Sequence, residues 1–524
     1  MNRDTMIKTI QEHGDYPWDV LIIGGGATGL GTAVESASRG FKTVLLEQHD
    51  FAKGTSSRST KLVHGGVRYL QQGDVGLVLE ALRERGLLRQ NAPHLVHNLA
   101  FVIPNYEWWN GPFYTIGMKI YDTMAGKLGL GPSIHISKEE TMKAIPNLKE
   151  EGLRGGVIYH DGQFDDARLA VNLAETAVTQ GAVVINYMKV TGLLKNKEGL
   201  IQGVEVQDIE SGEKYKMIAK TVINATGVFA DGILQMDDPA APRSIIPSQG
   251  IHLVLDKEFL QGESAIMIPK TADGRVLFAV PWHQKVVVGT TDTLVDKESL
   301  EPRALEEEIE FILDTAAQYL TKIPTREDVR SIFAGLRPLA APVKGKDTKE
   351  ISRSHKVMVS LSGMITTIGG KWTTYRKMGE DTIDKAILIG DLPERDSVTK
   401  NLPIHGAINE VDDNDPLYVY GSDKKFIRAL IDLQPSLAEK LNPALSYLKA
   451  EIIWAVREEM ARTVEDVLAR RTRALFLDAR ASIEMAPETA HIMAAELKKD
   501  KKWEERQVEE YTMLAKGYLL GKIV

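Results

Sequence analysis

The sequence predicts an α/β fold: a parallel sheet with helices, a second and mostly antiparallel sheet, and an all-helical C-terminal domain. Three observations predict it. An apolar run, a glycine-rich turn and a helical pattern follow one another within residues 20–40. Short strand patterns recur between residues 183 and 361, several of them close together. After residue 404, apolar residues recur at helical spacing instead.

The N-terminal unit gives the clearest pattern. Residues 20–23 are apolar throughout, as expected of a strand buried on both faces. Behind the glycine turn, Leu30 and Val34 fall at helical spacing, and Gly40 ends the helix. Residues 43–46 form the next apolar run. Together they predict a complete βαβ unit.

The middle of the chain alternates strand and turn patterns without an obvious repeat. The cluster between residues 251 and 289 predicts the antiparallel sheet. The predicted strands cover residues 183–187, 204–206, 221–224, 251–255, 276–280, 286–289 and 357–361.

Changes in composition predict the domain boundaries. Residues 1–17 form a polar N-terminal extension, and residues 18–390 hold two interleaved domains, one for each of the two predicted sheets. Residues 391–404 contain two prolines and form a linker, and residues 405–524 form the helical domain.

Composition excludes several functional classes. The 524 residues are 43% hydrophobic and 26% charged, so the chain buries a large core. It has no cysteine, which excludes disulfides, thiolate metal sites and thiol catalysis, and no metal site is predicted. The net charge of −8 argues against nucleic acid as a partner. Because no signal-peptide or membrane-spanning pattern is found, we expect a cytoplasmic location.

Three glycines, Gly24, Gly26 and Gly29, match the spacing G-x-G-x-x-G between the first predicted strand and helix. The first permits a tight turn, the second lets the backbone approach a pyrophosphate, and the third lets the helix pack on the strand. Glu47, at the end of the second strand, is placed to accept hydrogen bonds from both hydroxyls of an adenosine ribose, which disfavours NADP. The pattern predicts a bound dinucleotide; the alternative is a purely structural turn.

The glycine motif fits both FAD and NAD, and three further features favour FAD. No second G-x-G-x-x-G unit follows, so a chain that used both cofactors would lack a site for one of them. Thr226 and Gly227 follow a predicted strand, as in the second dinucleotide signature of two-domain flavoproteins. Gly370 and Lys371 follow a late strand, consistent with a loop that reaches the flavin end of the cofactor. Each feature alone fits an ordinary turn, but their order favours FAD.

Six motifs follow one another along the chain, at residues 55–70, 165–169, 224–227, 289–292, 335–339 and 369–376. Together they resemble those of the quinone-linked, FAD-dependent glycerol-3-phosphate dehydrogenases. The resemblance implies a two-domain, FAD-binding Rossmann-type fold of the D-amino-acid-oxidase type with an antiparallel substrate-binding sheet. It implies oxidation of sn-glycerol 3-phosphate to dihydroxyacetone phosphate, hydride transfer to FAD, and a membrane quinone as acceptor, in glycerol catabolism.

The same resemblance implies roles for individual residues. Arg337 and Lys371 would stabilise the alkoxide that develops at C2 as hydride leaves. His252 would be the general base, because histidine titrates near neutral pH. The alternatives are a surface or interdomain ion pair for Arg337, which precedes a proline, and a structural role for His252.

The substrate phosphate is assigned to Arg68, Tyr69 and Arg353, because the planar guanidinium group suits a dianion. The hydroxyls of Ser56 and Ser57 would bind the pyrophosphate, although helix capping explains them equally well. The residues predicted to bind the cofactor are Gly24, Gly26, Gly29, Glu47, Ser56, Ser57, Leu62, His64, Val190, Thr226, Gly227, Gly370, Lys371 and Thr373.

A quinone acceptor implies contact with a membrane. Residues 106–121 are rich in aromatic and aliphatic side chains, and Lys119 and Lys127 would meet anionic headgroups. This predicts peripheral attachment to the inner face of the cell membrane; a buried loop and helix is the alternative. The sequence does not decide the oligomeric state, for which a homodimer is one alternative. The alternative functions are a glycerol-3-phosphate oxidase that uses oxygen and a non-catalytic flavin-binding protein.

Overall fold

The computed structural model describes residues 1–66, 74–107, 110–269, 271, 276–341 and 354–520, with the backbone alone at residues 110–116 and 127. Two sheets and a C-terminal group of helices make up the architecture. The strands are β1 (Trp18–Ile23), β2 (Thr43–Leu46), β3 (Leu62–Val63), β4 (Val96–Asn105), β5 (Ile134–Ile136), β6 (Gly155–Phe164), β7 (Val183–Ile185), β8 (Met188–Lys195), β9 (Ile201–Asp208), β10 (Lys214–Asn224), β11 (Ile245–Asp256), β12 (Ala265–Ile268), β13 (Leu277–Trp282), β14 (Lys285–Gly289), β15 (Thr293–Leu294), β16 (Ser331–Ala340), β17 (Lys356–Val359) and β18 (Ile365–Ile368).

Most helices belong either to the two faces of the first sheet or to the C-terminal region. They are α1 (Arg3–His13), α2 (Ala27–Ser38), α3 (Val75–Asn91), α4 (Asn110–Ala125), α5 (Lys138–Ala144), α6 (Asp166–Thr179), α7 (Ala230–Asp237), α8 (Glu306–Tyr319), α9 (Tyr375–Ile389), α10 (Lys424–Leu433), α11 (Lys449–Glu458), α12 (Ala474–Leu477), α13 (Ala479–Leu497) and α14 (Lys501–Lys516). None in the described part of the chain is long and apolar enough to cross a bilayer.

The first sheet is parallel at its centre, in the order β18-β10-β1-β2-β7. Strand β17 joins its edge in antiparallel orientation, and β8 and β9 extend from β10 as an antiparallel hairpin. Strand β1 is buried along nearly its whole length because α2 and α9 cover the sheet. The predicted strand over residues 183–187 ends at Ile185, because Tyr187 turns the chain with a φ of 56°.

The second sheet runs β15-β11-β14-β13-β12-β4-β6-β3, with β16 paired to β11 and β5 to β6. All of its described pairs are antiparallel except β12 with β4. The predicted fold class, with an antiparallel second sheet and a helical C-terminal domain, is confirmed.

The N-terminal extension is a packed helix rather than a separate tail. Met6 and Ile10 of α1 belong to the core that contains β1. Arg3 is buried, and its Nη2 lies 2.6 Å from Asp208 Oδ1. The linker is also packed, because Thr399 is buried between Glu35 of α2 and Arg376 of α9.

A cluster of three C-terminal arginines joins the helical domain to the first sheet. Arg471 pairs with both oxygens of Asp50 at 2.8 Å, and Arg470 Nε reaches the same carboxylate at 2.6 Å. Arg473 Nη2 donates to Asp166 Oδ1 at 2.9 Å. All of these side chains are nearly inaccessible to water, so their charges are compensated by one another rather than by solvent.

Candidate functional site

The glycine turn between β1 and α2 has the geometry that its spacing predicts. Gly24 has a φ of 110°, and a Cβ there would lie 2.7 Å from the carbonyl oxygen of Ala225. A Cβ at Gly29 would overlap the carbonyl oxygen of Gly24, so the helix approaches the strand closely only because this residue is glycine. Helix α2 begins without a side-chain cap on Gly26, and Ala27 N donates to Ser56 Oγ at 3.0 Å. Its N-terminus faces a large cavity.

This cavity, of about 590 Å³, lies between the first sheet and the second. The glycine turn forms one end, and β11, β13 and β16 of the antiparallel sheet line the other. Twelve of the residues predicted to bind the cofactor line it: Gly24, Gly26, Glu47, Ser56, Leu62, His64, Val190, Thr226, Gly227, Gly370, Lys371 and Thr373.

Glu47 lies where β2 ends, and its carboxylate is held by the backbone. Gly25 N donates to Oε2 at 2.6 Å and His49 N donates to Oε1 at 2.8 Å. Burial raises the pKa of Glu47, although these two hydrogen bonds favour its charged form. A carboxylate accepts several hydrogen bonds, so Glu47 retains acceptor capacity for ribose hydroxyls.

The antiparallel sheet brings His252 and Arg337 to the same cavity. Arg337 of β16 lies opposite Ser248 of β11, and Ser248, Gly250 and His252 share one face of that strand. The guanidinium group lies over Gly250, where a Cβ would overlap Arg337 Nη2. Glycine at this position therefore makes room for the arginine beside the histidine.

His252 is buried and held on two sides. Its Nε2 lies 2.9 Å from Thr60 Oγ1, and its ring stacks on Phe333 with the centroids 4.8 Å apart. Burial, reinforced by the charges of Lys61 and Arg337, lowers the pKa of His252 well below its usual value. The imidazole is therefore neutral at neutral pH and can accept a proton, but it does not titrate near neutral pH as the sequence-based assignment assumed.

Arg337 is held by the segment that follows β14. Its Nη2 donates to Thr290 Oγ1 at 3.1 Å and to the carbonyl oxygen of Thr291 at 3.0 Å, and Nη1 lies 3.5 Å from Asp292 Oδ1. The side chain is 28% exposed and lines the cavity. Lys371 also lines the cavity, immediately before the turn Trp372–Thr374.

Comparisons with known proteins agree with this architecture. The family "FAD dependent oxidoreductase" matches residues 19–376, and the "C-terminal domain of alpha-glycerophosphate oxidase" matches residues 397–504. A probable mitochondrial glycerol-3-phosphate dehydrogenase of Caenorhabditis elegans is 41% identical over 92% of this chain and 70% of its own length. The mitochondrial enzyme of Schizosaccharomyces pombe is 37% identical over 99% of this chain and 89% of its own length. The chain belongs to the FAD-dependent glycerol-3-phosphate dehydrogenase family.

A solved structure of a glycerol-3-phosphate dehydrogenase is similar to this chain over nearly its whole length. The glycerol-3-phosphate dehydrogenase of Bacillus halodurans, in complex with FAD, is 29% identical. It superimposes with a TM-score of 0.80 and covers 99% of this chain and 98% of that one. The cofactor of this chain is FAD.

The described residues fit this cofactor. Gly24, Gly26 and the N-terminus of α2 would hold the pyrophosphate, with Ser56 beside them, and Glu47 would hold the ribose. A Cβ at Gly26 would approach Ser56 Oγ to 3.0 Å and fill the space that a phosphate needs.

Two residues predicted to bind the cofactor do not line the cavity. Gly29 packs the helix on the strand, as its place in the motif predicts. Ser57 is buried, and its carbonyl oxygen accepts hydrogen bonds from Lys61 Nζ at 2.8 Å and Arg473 Nη2 at 3.1 Å. Ser57 is thus not among the described residues that line the cavity, and its contact with the pyrophosphate stays a prediction.

Three predicted substrate residues, Arg68, Tyr69 and Arg353, lie outside the described residues, so their phosphate role stays a prediction. Sequence reasoning missed Thr60 and Thr290, which contact His252 and Arg337. Both lie inside motifs that the family resemblance singles out, at residues 55–70 and 289–292. The feature that could have identified them is a hydroxyl side chain inside a motif of the family.

The aromatic stretch at residues 106–121, predicted to contact the membrane, contributes some of its side chains to the protein core. Met118 and Tyr121 are buried, and the Tyr121 hydroxyl donates to Asp161 Oδ2 at 2.8 Å. Ile120 is 48% exposed, and Lys119 is exposed beside it. Only this outer face of α4 remains for contact with a membrane among the described side chains of the stretch 117–121.

Proposed function

We propose that this chain oxidises sn-glycerol 3-phosphate at C2 to dihydroxyacetone phosphate and passes the two electrons to a membrane quinone, in glycerol catabolism. One observation carries the proposal: the Arg337 guanidinium group and the neutral His252 imidazole meet on the sheet face that closes the FAD cavity. Oxidation of a secondary alcohol needs a proton acceptor and a cation next to the same carbon.

FAD, when bound, supplies the hydride acceptor. Neutral His252 accepts the proton of the C2 hydroxyl, so that the alcohol loses one proton and one hydride and becomes a ketone. Arg337 and Lys371 stabilise the negative charge that develops on the C2 oxygen as the hydride leaves. Met267, Val276 and Phe278 line this part of the cavity and limit the access of water.

The phosphate of the substrate is assigned to Arg68, Tyr69 and Arg353. A dianion needs several fixed donors, and guanidinium groups supply them in pairs. Binding energy from the phosphate then places C2 against the catalytic groups, since distant contacts of a substrate orient its reacting part.

The quinone acceptor places the enzyme at a membrane surface, and we propose peripheral attachment to the inner face of the cell membrane from the cytoplasm. The exposed Ile120 and Lys119 on α4 support this attachment, because an apolar and a cationic side chain side by side suit an anionic lipid surface.

An anaerobic titration of the yellow holoenzyme tests the proposal. We expect sn-glycerol 3-phosphate to bleach the flavin absorbance, whereas glycerol, which lacks the phosphate, leaves it unchanged at the same concentration. A flavin that sn-glycerol 3-phosphate does not bleach contradicts the proposal.

The acceptor is tested separately. We expect a soluble quinone analogue to restore the absorbance of the reduced enzyme quickly, and oxygen to restore it slowly with little hydrogen peroxide. Stoichiometric peroxide at the faster rate identifies an oxidase instead.

A further inference from the structure

The segment 290–293, which the sequence motifs single out but the mechanism does not use, connects two polar groups on opposite sides. Thr290 and Asp292 contact the Arg337 guanidinium group, at 3.1 Å and 3.5 Å. Thr291 and Thr293 instead donate their hydroxyls to Glu308 Oε1, at 2.7 Å and 2.8 Å. Alternate side chains of an extended segment point to opposite sides, so one face of this segment holds the arginine while the other binds the carboxylate.

Glu308 anchors more than this segment. It lies in the first turn of α8 and is 3% exposed. Its Oε2 accepts hydrogen bonds from Gln249 Nε2 at 2.8 Å and from Leu305 N at 3.0 Å. Gln249 lies in β11 between Ser248, which is paired with Arg337 in the sheet, and Gly250, over which the guanidinium group lies. One buried carboxylate therefore ties together both pieces of chain that enclose the guanidinium group.

The fit around Arg337 leaves it little freedom to adjust. A Cβ at Gly250 would overlap both Arg337 Nη2 and Thr290 Oγ1. Ile251 N donates to Thr291 Oγ1 at 3.1 Å, which fixes the segment 290–293 against β11. Ser248 donates its hydroxyl to Asp292 on the same side as the arginine. A shift of the segment therefore shifts the guanidinium group with it.

We propose that Glu308 is a positioning residue for the oxidation: acting through Thr291, Thr293 and Gln249, it sets the place of the Arg337 guanidinium group beside the substrate. Glu308 is not among the described residues that line the cavity, so it acts without touching cofactor or substrate. The inference rests on the proposed function, because it assigns Arg337 to the developing alkoxide.

The direct test replaces Glu308 by glutamine. Glu308→Gln keeps the shape of the side chain but replaces one of the two carboxylate oxygens by an NH2 group, which donates and does not accept. Either the hydroxyls of Thr291 and Thr293 or the amide of Gln249 then lose their acceptor. We expect the limiting rate of anaerobic flavin reduction to fall by about 10- to 100-fold, since small displacements of a catalytic group have effects of this size. FAD content should not change.

Glu306→Gln is the matched control. Glu306 lies in the same turn of α8, but it is exposed and pairs with Arg326 at the surface. We expect its reduction rate to equal that of the unchanged protein. Thr291→Val is the second variant: it removes one hydroxyl at a buried position and should also slow the reduction, so the proposal is tested even if Glu308→Gln does not fold.

A double-mutant cycle separates positioning from a general loss of structure. If Glu308 acts through Arg337, then Glu308→Gln in the Arg337→Ala background causes no further loss of reduction rate. A loss that multiplies with that of Arg337→Ala overturns the inference, as does an unchanged rate in folded, FAD-replete Glu308→Gln. Failure of the unchanged protein to be bleached by sn-glycerol 3-phosphate would instead contradict the proposed function itself.

Discussion

The two ends of the FAD cavity are built in different ways. At the end near α2, backbone amides and three glycines make the turn, and Glu47 is fixed by two backbone hydrogen bonds. At the end near β11 and β16, Arg337 and His252 are held by side chains of Thr60 and Thr290, which lie far from them in sequence. At the end near α2, the glycine positions have no space for a side chain. At the end near β11 and β16, the catalytic side chains depend on their hydrogen-bond partners for their positions.

This difference separates cofactor binding from chemistry. Substitutions in the glycine turn before α2 should remove FAD. Substitutions around His252 and Arg337 should leave FAD bound and slow its reduction.

Gly29→Ala should abolish FAD binding, because its Cβ overlaps the carbonyl oxygen of Gly24 and forces α2 away from β1. The flavin-to-protein ratio of the purified protein measures the effect. Gly117→Ala, in α4, is the control, since a Cβ there meets no atom within 4 Å. A Gly29→Ala protein that purifies with a full complement of FAD would show that the close packing of α2 on β1 is not needed to bind the cofactor.

Arg337→Ala should keep FAD but lower kcat by about 10²- to 10³-fold, the usual cost of removing one group that stabilises developing negative charge. Steady-state kinetics with a quinone dye, together with the flavin spectrum, measure both quantities. Loss of FAD, or near-normal turnover, would remove Arg337 from the role assigned to it.

Thr60→Val should lower kcat by about 2- to 10-fold, because it removes one hydrogen bond to His252 Nε2, which typically contributes about 1 kcal/mol. Thr60→Ser retains a hydroxyl and should recover most of the rate. Equal rates for the valine and serine variants would show that the hydroxyl does not orient the imidazole.

The pH dependence should show no titration of His252 near its ordinary pKa. Burial and the charges of Lys61 and Arg337 lower that pKa, so the imidazole stays neutral as the pH falls through about 6.5. We therefore expect kcat at saturating substrate to show no titration of His252 between about pH 6 and about pH 8. An inflection near pH 6.5 that His252→Gln abolishes would contradict the assigned environment.

The same shift has a consequence for stability. The unfolded chain binds the His252 proton at about pH 6.5 and the folded chain does not, so the stability that depends on neutral His252 is fully present above that pH and is lost as the pH falls below it. Thermal unfolding between about pH 7 and about pH 5 should show a smaller loss for His252→Gln than for the unchanged protein.

The sequence predicted the turn at Gly24, Gly26 and Gly29, because these glycines stand between an apolar strand pattern and a helical pattern and a second strand follows. It predicted the fold class for the same reason: apolar runs and turn residues act locally. It did not separate Ser56, whose hydroxyl accepts a hydrogen bond from Ala27 N, from Ser57, whose carbonyl oxygen accepts one from Arg473 of the C-terminal domain. Nor did it indicate Glu308, because only the folded sheet brings α8 beside the segment 290–293.

The arginines on Asp50 and Asp166 bear on how the chain is assembled. Because Arg470 and Arg471 neutralise Asp50 inside the other domain, separating the two parts at residues 391–404 would take both of these cations away from a buried carboxylate. Neither fragment should be autonomous, and calorimetry of the intact holoenzyme should record a single cooperative transition. The helical region thus completes the globule that encloses the flavin, rather than being an appendage to it.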